Sequence, residues 1–145
     1  MLKRALLWGT VAAAGGAAWT LIEYGLGFHT ERAEVGRYTG FIAIVFPIVA
    51  IVAALRVARA EAGTLSFGRG FREGMAVTLV FALLGALFFA VYFSAINPAF
   101  LERAAAEGAP STIGGQIALL FVSSLIGGII ISLIAALVMR RRGEG

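Results

Sequence analysis

Residues that could carry acid–base chemistry are scarce in this chain of 145 residues, which contains no Cys, no Asp and a single His. The candidates that share one region of the predicted structure are Glu23, Tyr24, His29 and Asn97. A carboxylate within a hydrophobic stretch is a functional hypothesis by default, in this case proton coupling or cation binding. The structural alternative is that Glu23 pairs with His29 or a nearby Arg, and that these polar side chains seal one end of a helix bundle by hydrogen bonds.

The same scarcity excludes several kinds of site. A structural zinc site takes about four Cys or His ligands, and a hydrolase triad needs a nucleophile, a His and an acid together. No Gly-rich phosphate-binding motif opens a helix after a strand. We therefore predict no catalytic residues, no cofactor, no metal site and no enzymatic activity.

The composition predicts an all-α, polytopic membrane protein. Hydrophobic residues make up 60% and charged residues 14% of the chain, and the mean hydropathy is +0.93. Soluble domains contain about 45–50% apolar and about 25% charged residues. A hydrocarbon core needs about 20 apolar residues per helix. Stretches of this kind predict a four-transmembrane-helix bundle forming a single domain over 1–145, with spans at about 5–28, 38–55, 75–96 and 113–139.

The basic residues predict the orientation of this bundle. Nine of the twelve lie before the first span, between the second and third, or after the fourth: Lys3, Arg4, Arg56, Arg59, Arg69, Arg72, Arg140, Arg141 and Arg142. Short loops rich in Lys and Arg stay cytoplasmic, so both termini are expected inside, in a bacterial cytoplasmic membrane. The net charge of +4 then attracts anionic lipid headgroups and indicates no nucleic-acid partner. A cleaved signal peptide is the competing interpretation of the first 14 residues, but the apolar run continues to Phe28.

Small residues recur at every fourth position along the third and fourth spans, as they do where membrane helices pack closely. The stripes consist of Ala82, Ala86 and Ala90 in one span and Ser124, Gly128 and Ser132 in the other. Matching their depths pairs 82 with 132, 86 with 128 and 90 with 124 in the tightest antiparallel contact of the bundle. The alternative is that these stripes face a second copy of the chain.

Other local features concern the ends and the shape of the spans. Asn97-Pro98 is a good start for a short outer interfacial helix over 98–107. Pro47 predicts a kink near Ala43–Pro47, because it lacks a backbone N–H. The segment Thr64–Gly74 carries three charges and is predicted to lie at the interface as a lead-in to the third span. Its glycines are interpreted as turn or cap residues. With the charges of this segment at the interface, Glu23 is expected to be the only charge embedded in a span.

Taken together, these motifs resemble an uncharacterised bacterial family of small four-helix integral membrane proteins, a domain of unknown function. The resemblance covers about residues 15–142. The residues that carry it are Glu23-Tyr24, Gly27-Phe28-His29-Thr30, Ser66-Phe67-Gly68-Arg69-Gly70-Phe71, Ile96-Asn97-Pro98-Ala99-Phe100 and Arg140-Arg141-Arg142. The resemblance implies the four-helix architecture and a shared design around these residues, and it implies no mechanism.

Two functions remain after these exclusions. The first is a non-enzymatic accessory or structural component of the inner membrane, working as a homo-oligomer or within a larger membrane complex. The alternative is a small oligomeric proton-coupled transporter that uses Glu23, as four-span multidrug exporters use a carboxylate in their first helix. In this sequence, however, Glu23 lies near the end of its span and not at mid-membrane.

Overall fold

The computed structural model describes residues 1–140, and within that range the regular structure is entirely helical. The elements are α1 (Leu2–Gly25), α2 (Ala33–Thr39), a 3₁₀ turn (Gly40–Ile44), α3 (Val45–Ala62), α4 (Phe67–Val91), a π-helical turn (Tyr92–Ile96), α5 (Ala99–Ala106) and α6 (Ile113–Met139). The predicted basic-tail residues Arg141 and Arg142 lie outside the described residues.

Four of the helical segments in residues 1–140 are long and apolar enough to cross a membrane. They are Leu2–Gly25, Ala33–Ala62, Phe67–Ile96 and Ile113–Met139, of 24, 30, 30 and 27 residues. At 1.5 Å per residue each exceeds the roughly 30 Å of a bilayer core. The chain is therefore a multi-pass membrane protein. We call the end where α1 begins and α6 finishes the proximal end, and the end that holds Glu23 the distal end.

The second span is irregular where Pro47 predicts a kink. The chain forms a 3₁₀ turn over Gly40–Ile44 and returns to α-helix at Val45, so Pro47 lies in the first turn of α3. Proline donates no hydrogen bond to the carbonyl four residues earlier, which favours tighter winding there. The span begins at Ala33, five residues before the predicted start, so part of the gap between the first two predicted spans is helical.

The α4–α6 pair forms the most extensive helix contact, but in a register different from the prediction. A Cβ built at Gly128 would meet Thr78, and one built at Gly74 would meet Ser132. The predicted partner of Gly128 was Ala86, two helical turns further along α4. Gly128 and Ser132 are both buried within this chain, whereas Ser124 is half-buried.

Helix α4 also starts earlier than predicted, and a charge at the proximal end is buried with it. Helix α4 begins at Phe67, with the Ser66 side chain accepting a hydrogen bond from the Arg69 backbone N–H, and it continues without interruption through Glu73. Glu73 is only 2% exposed, and Arg4 pairs with it at 2.6 Å. Glu23 is therefore not the only embedded charge, and the segment before Gly74 belongs to the span.

Two turns of α4 are thereby added to the packed helix. Gly70 lies against Ala136 and Gly74 against Ser132, so both glycines pack between helices and do not mark a span end. Ala82 remains in the interior at 2% exposure, but Ala86 and Ala90 are only half-buried.

Candidate functional site

Five hydrogen-bonded residues form what we call the distal polar cluster: Glu23, His29, Thr39, Tyr92 and Asn97. The turn that follows α1 brings the first two together. Gly27 has a positive φ of 79°, a conformation that glycine adopts without steric penalty. In this turn the Phe28 N–H donates to the Glu23 carbonyl at 2.8 Å and the Gly27 N–H to the Tyr24 carbonyl at 3.0 Å. The chain reverses here, which returns His29 to the Glu23 side chain.

Glu23 is 3% exposed, and both of its carboxylate oxygens have partners within the chain. Oε1 accepts a hydrogen bond from the Thr39 hydroxyl at 2.6 Å, and Oε2 lies 3.2 Å from His29 Nε2. Thr39 is itself held by Trp19, whose Nε1–H donates to the Thr39 carbonyl at 3.1 Å. Of the partners expected for Glu23, the structure shows His29 in contact with it. Arg37, a nearby Arg, pairs with Glu107 instead.

Tyr92 lies at the centre of the cluster because of the π-helical turn at the end of α4. The wider turn lets the Asn97 N–H donate to the Tyr92 carbonyl at 2.7 Å, five residues back. Both side chains then point the same way, and Asn97 Nδ2 donates to the Tyr92 hydroxyl oxygen at 3.1 Å. The same oxygen lies 2.5 Å from His29 Nδ1. Single π turns of this kind occur frequently at functional sites.

One arrangement of protons satisfies every group in this network. If Glu23 is ionised it only accepts, and the Nε2–H of His29 then donates to it. A neutral imidazole then accepts at Nδ1 from the Tyr92 hydroxyl, whose oxygen accepts from Asn97. A protonated imidazole would donate at both nitrogens and leave the Tyr92 hydrogen without this acceptor. In this arrangement each side chain of the network has a hydrogen-bond partner.

Carboxylate, imidazole and hydroxyl stand in the same order as in a hydrolase triad. Tyr92 is 1% exposed, however, and its oxygen is already engaged by Asn97, so no substrate carbonyl could approach it. The arrangement can fix the geometry of the helix ends. It can also pass a proton between Glu23 and Tyr92 through the imidazole.

The structure brings three of the four predicted residues into one hydrogen-bonded network, namely Glu23, His29 and Asn97. Tyr24, the fourth, contributes an edge-to-face ring contact with Tyr92, with the centroids 6.0 Å apart. Asn97 does not cap α5, because Pro98 occupies that position and the Asn97 side chain is used on Tyr92.

Two further polar residues, Tyr38 and Gln116, are not part of this network. Tyr38 is 79% exposed, and Gln116 donates to the Pro110 carbonyl at 2.7 Å. Thr39 was missed, since a Thr at the start of an apolar span carries no signal of its own. Tyr92 was missed as well, and only the π turn makes it central.

A second polar site joins three helices at the proximal end. Arg4 on α1 makes two contacts with Glu73 on α4, Nη2 to Oε1 at 2.6 Å and Nε to Oε2 at 3.3 Å. Its Nη1 also pairs with Glu61 near the end of α3. A two-point guanidinium–carboxylate contact is strong and directional. In the sequence, Arg4 carries only a topology signal, and Glu73, 69 residues further on, has no evident partner.

No similar protein is found among curated proteins or solved structures. A family model described as "Protein of unknown function (DUF4199)" matches residues 7–141, nearly the whole chain, and confirms the resemblance inferred from the motifs. The chain belongs to the DUF4199 family.

Proposed function

We propose that this protein is a non-enzymatic accessory or structural component of the bacterial cytoplasmic membrane, and that the distal polar cluster is a latch that fixes the helix ends. The observation that carries this proposal is the saturation of Glu23. Its two oxygens accept from Thr39 and His29, and its side chain is 4% exposed. A carboxylate with both oxygens engaged stabilises its surroundings and has little capacity left for a ligand.

The orientation we propose is cytoplasmic for the proximal end, following the bias of Lys and Arg toward that end. Its cationic side chains then face the anionic headgroups of the inner leaflet. Because the chain has no Cys, a single introduced Cys is a clean reporter. A membrane-impermeant maleimide added to cells is expected to label Glu107→Cys at the distal end and not Thr64→Cys at the proximal end. The reverse pattern contradicts the orientation.

The latch and the proton-coupled transporter differ in what Glu23→Gln does. Purified protein is reconstituted into vesicles holding a pH-sensitive dye, and proton entry down an imposed gradient is followed. The latch predicts that wild-type protein admits protons no faster than protein-free vesicles. It also predicts that Glu23→Gln lowers the free energy of unfolding by about 1–2 kcal/mol, because a buried acceptor is lost.

Glu107→Gln is the matched control, since it makes the same chemical change at an exposed carboxylate. It is expected to leave both proton entry and stability unchanged. A wild-type proton flux that disappears in a fully stable Glu23→Gln protein would contradict the latch and establish the transporter. The in-line arrangement of Glu23, His29 and Tyr92 is the observation that keeps this alternative open.

The accessory role is tested separately by copurification. Solubilisation in a mild detergent is expected to yield the chain in a homo-oligomer or together with other membrane proteins. Recovery of the wild-type chain as a lone monomer, both in detergent and after cross-linking in cells, contradicts this part of the proposal.

A further inference from the structure

A groove between α3 and α6 opens on the outer surface of the bundle at its proximal end. Its volume is about 750 Å³, within the range of roughly 300–1,000 Å³ that holds small organic molecules. Its apolar walls are formed by Ile48, Val52, Ile131, Ile134, Val138 and Met139. Some of these side chains face the surroundings, since Ile134 is 58% and Val138 78% exposed. The groove is therefore open to the lipid around the helices.

The dimensions of the groove match one leaflet of a bilayer. Along α3 its lining runs from Ile48 to Ala60, which at 1.5 Å per residue is about 18 Å. One leaflet of a hydrocarbon core is about 15 Å thick, half of the roughly 30 Å of the whole core. Met139, the last residue of α6, also lines the groove, so it extends to the proximal edge of the span. An extended acyl chain fits this length.

Two guanidinium groups line the proximal part of the groove. Arg56 and Arg59 are three residues apart on α3, which places them on the same face of that helix. Within residues 1–140 neither forms an ion pair, whereas Glu61 and Glu73 at the same end are both engaged by Arg4. Guanidinium groups bind phosphate through two parallel N–H donors.

We propose that this groove binds one anionic phospholipid, with an acyl chain along its apolar walls and the phosphate on Arg56 and Arg59. The length of the groove and the position of the positive charge within it together select this occupant. A soluble anion would gain no binding free energy from the apolar walls. A zwitterionic lipid would gain less electrostatic attraction from the two guanidinium groups than an anionic lipid. The site is independent of the distal latch and of any accessory role.

The test uses the full-length protein, stripped of lipid in detergent and then titrated with phosphatidylglycerol or phosphatidylcholine. Bound lipid is counted by native mass spectrometry. We expect one phosphatidylglycerol to remain bound where phosphatidylcholine dissociates. The double variant Arg56→Gln/Arg59→Gln is expected to bind phosphatidylglycerol about 10- to 30-fold more weakly. The matched control Arg69→Gln/Arg72→Gln removes the same charge from α4 at the same end, and we expect affinity within about 3-fold of wild type.

Other outcomes overturn the proposal. Equal weakening of phosphatidylglycerol binding in both double variants would mean that the lipid is attracted by the general positive charge of this end and not by Arg56 and Arg59. Equal affinity for phosphatidylglycerol and phosphatidylcholine would mean that the two guanidinium groups do not select the headgroup. Ala60→Phe places a ring in the groove at an exposed position and is expected to weaken both lipids. An unchanged affinity in that variant would place the lipid elsewhere. Efficient disulfide cross-linking of Ile134→Cys between chains in membranes would assign the groove to a second copy.

Discussion

The contact of α4 with α6 can be tested at Gly128, where a methyl group has no room. A Cβ at position 128 would lie 2.1 Å from Thr78 Cγ2 and 2.4 Å from its Oγ1. Ordinary contact begins at 3.4 Å, so the two helices would have to separate locally by about 1.3 Å. Overpacking of this kind costs about 1–3 kcal/mol. We therefore expect Gly128→Ala to lower the free energy of unfolding.

Gly127 provides the matched control on the same helix. A Cβ at Gly127 would meet no heavy atom within 4 Å. Alanine favours a helix over glycine by about 0.5–1 kcal/mol at either position, and this gain cancels in the comparison. We expect Gly128→Ala to be about 1–3 kcal/mol less stable than Gly127→Ala, which is itself at least as stable as the wild type.

The measurement is unfolding in detergent micelles by titration with SDS, followed by circular dichroism. A second variant, Thr78→Gly, removes the three atoms that lie nearest to the new methyl group. Combining it with Gly128→Ala is expected to recover at least half of the loss, as a favourable coupling energy in a double-mutant cycle. Equal stability of the two alanine variants, or no coupling between positions 78 and 128, would refute the observed register.

The same titration tests the two polar sites. Arg4→Gln leaves the Glu73 carboxylate buried without its partner and is expected to cost about 3 kcal/mol, most of which a further Glu73→Gln recovers. A loss below about 0.5 kcal/mol contradicts the pair. Tyr92→Phe removes a hydroxyl shared by two side chains and is expected to cost about 1–2 kcal/mol. Tyr38→Phe, at a side chain 79% exposed, is its control, and equal effects of the two would refute the network.

The helix count and the closest helix pair could be predicted from the sequence, because both depend on local composition. Apolar runs of about 20 residues predict spans, and small residues at every fourth position predict close packing. The start of the third span could not be predicted in this way. Charges before Gly74 indicate an interface by any local criterion, and the ion pair that buries Glu73 comes from Arg4, 69 residues away. The predicted register matched depths from a span that began at 75, whereas α4 begins at Phe67.

The distal cluster was predictable in part for a different reason. Glu23, His29 and Asn97 are conspicuous because polar residues are rare in this chain, so selecting them needed no geometry. The contributions of Thr39 and Tyr92 depend on backbone features without a sequence signal. Thr39 precedes a 3₁₀ turn, and Tyr92 begins a π turn that places Asn97 beside it. Predicting from residue spacing which side chains share a face assumes a uniform α-helix. That prediction fails where the chain changes to a 3₁₀ or π turn.

The two polar sites hold α1 at its opposite ends. Arg4 joins the first turn of α1 to α4 and to the end of α3, and Glu23 joins its last turn to Thr39 and His29. Helices in lipid gain no hydrophobic driving force from association, so such contacts and close packing must hold them together. Arg4 and Glu23 are 19 positions apart, which corresponds to about 28 Å of helix.

Contacts that far apart are expected to contribute independently. The stability losses of Arg4→Gln and Tyr92→Phe should therefore add within about 0.5 kcal/mol in the double variant. A double variant no less stable than Arg4→Gln alone would contradict this independence. Loss of the proximal contact would then already release the whole of α1, and the distal network would exist only because the proximal pair holds that helix in place.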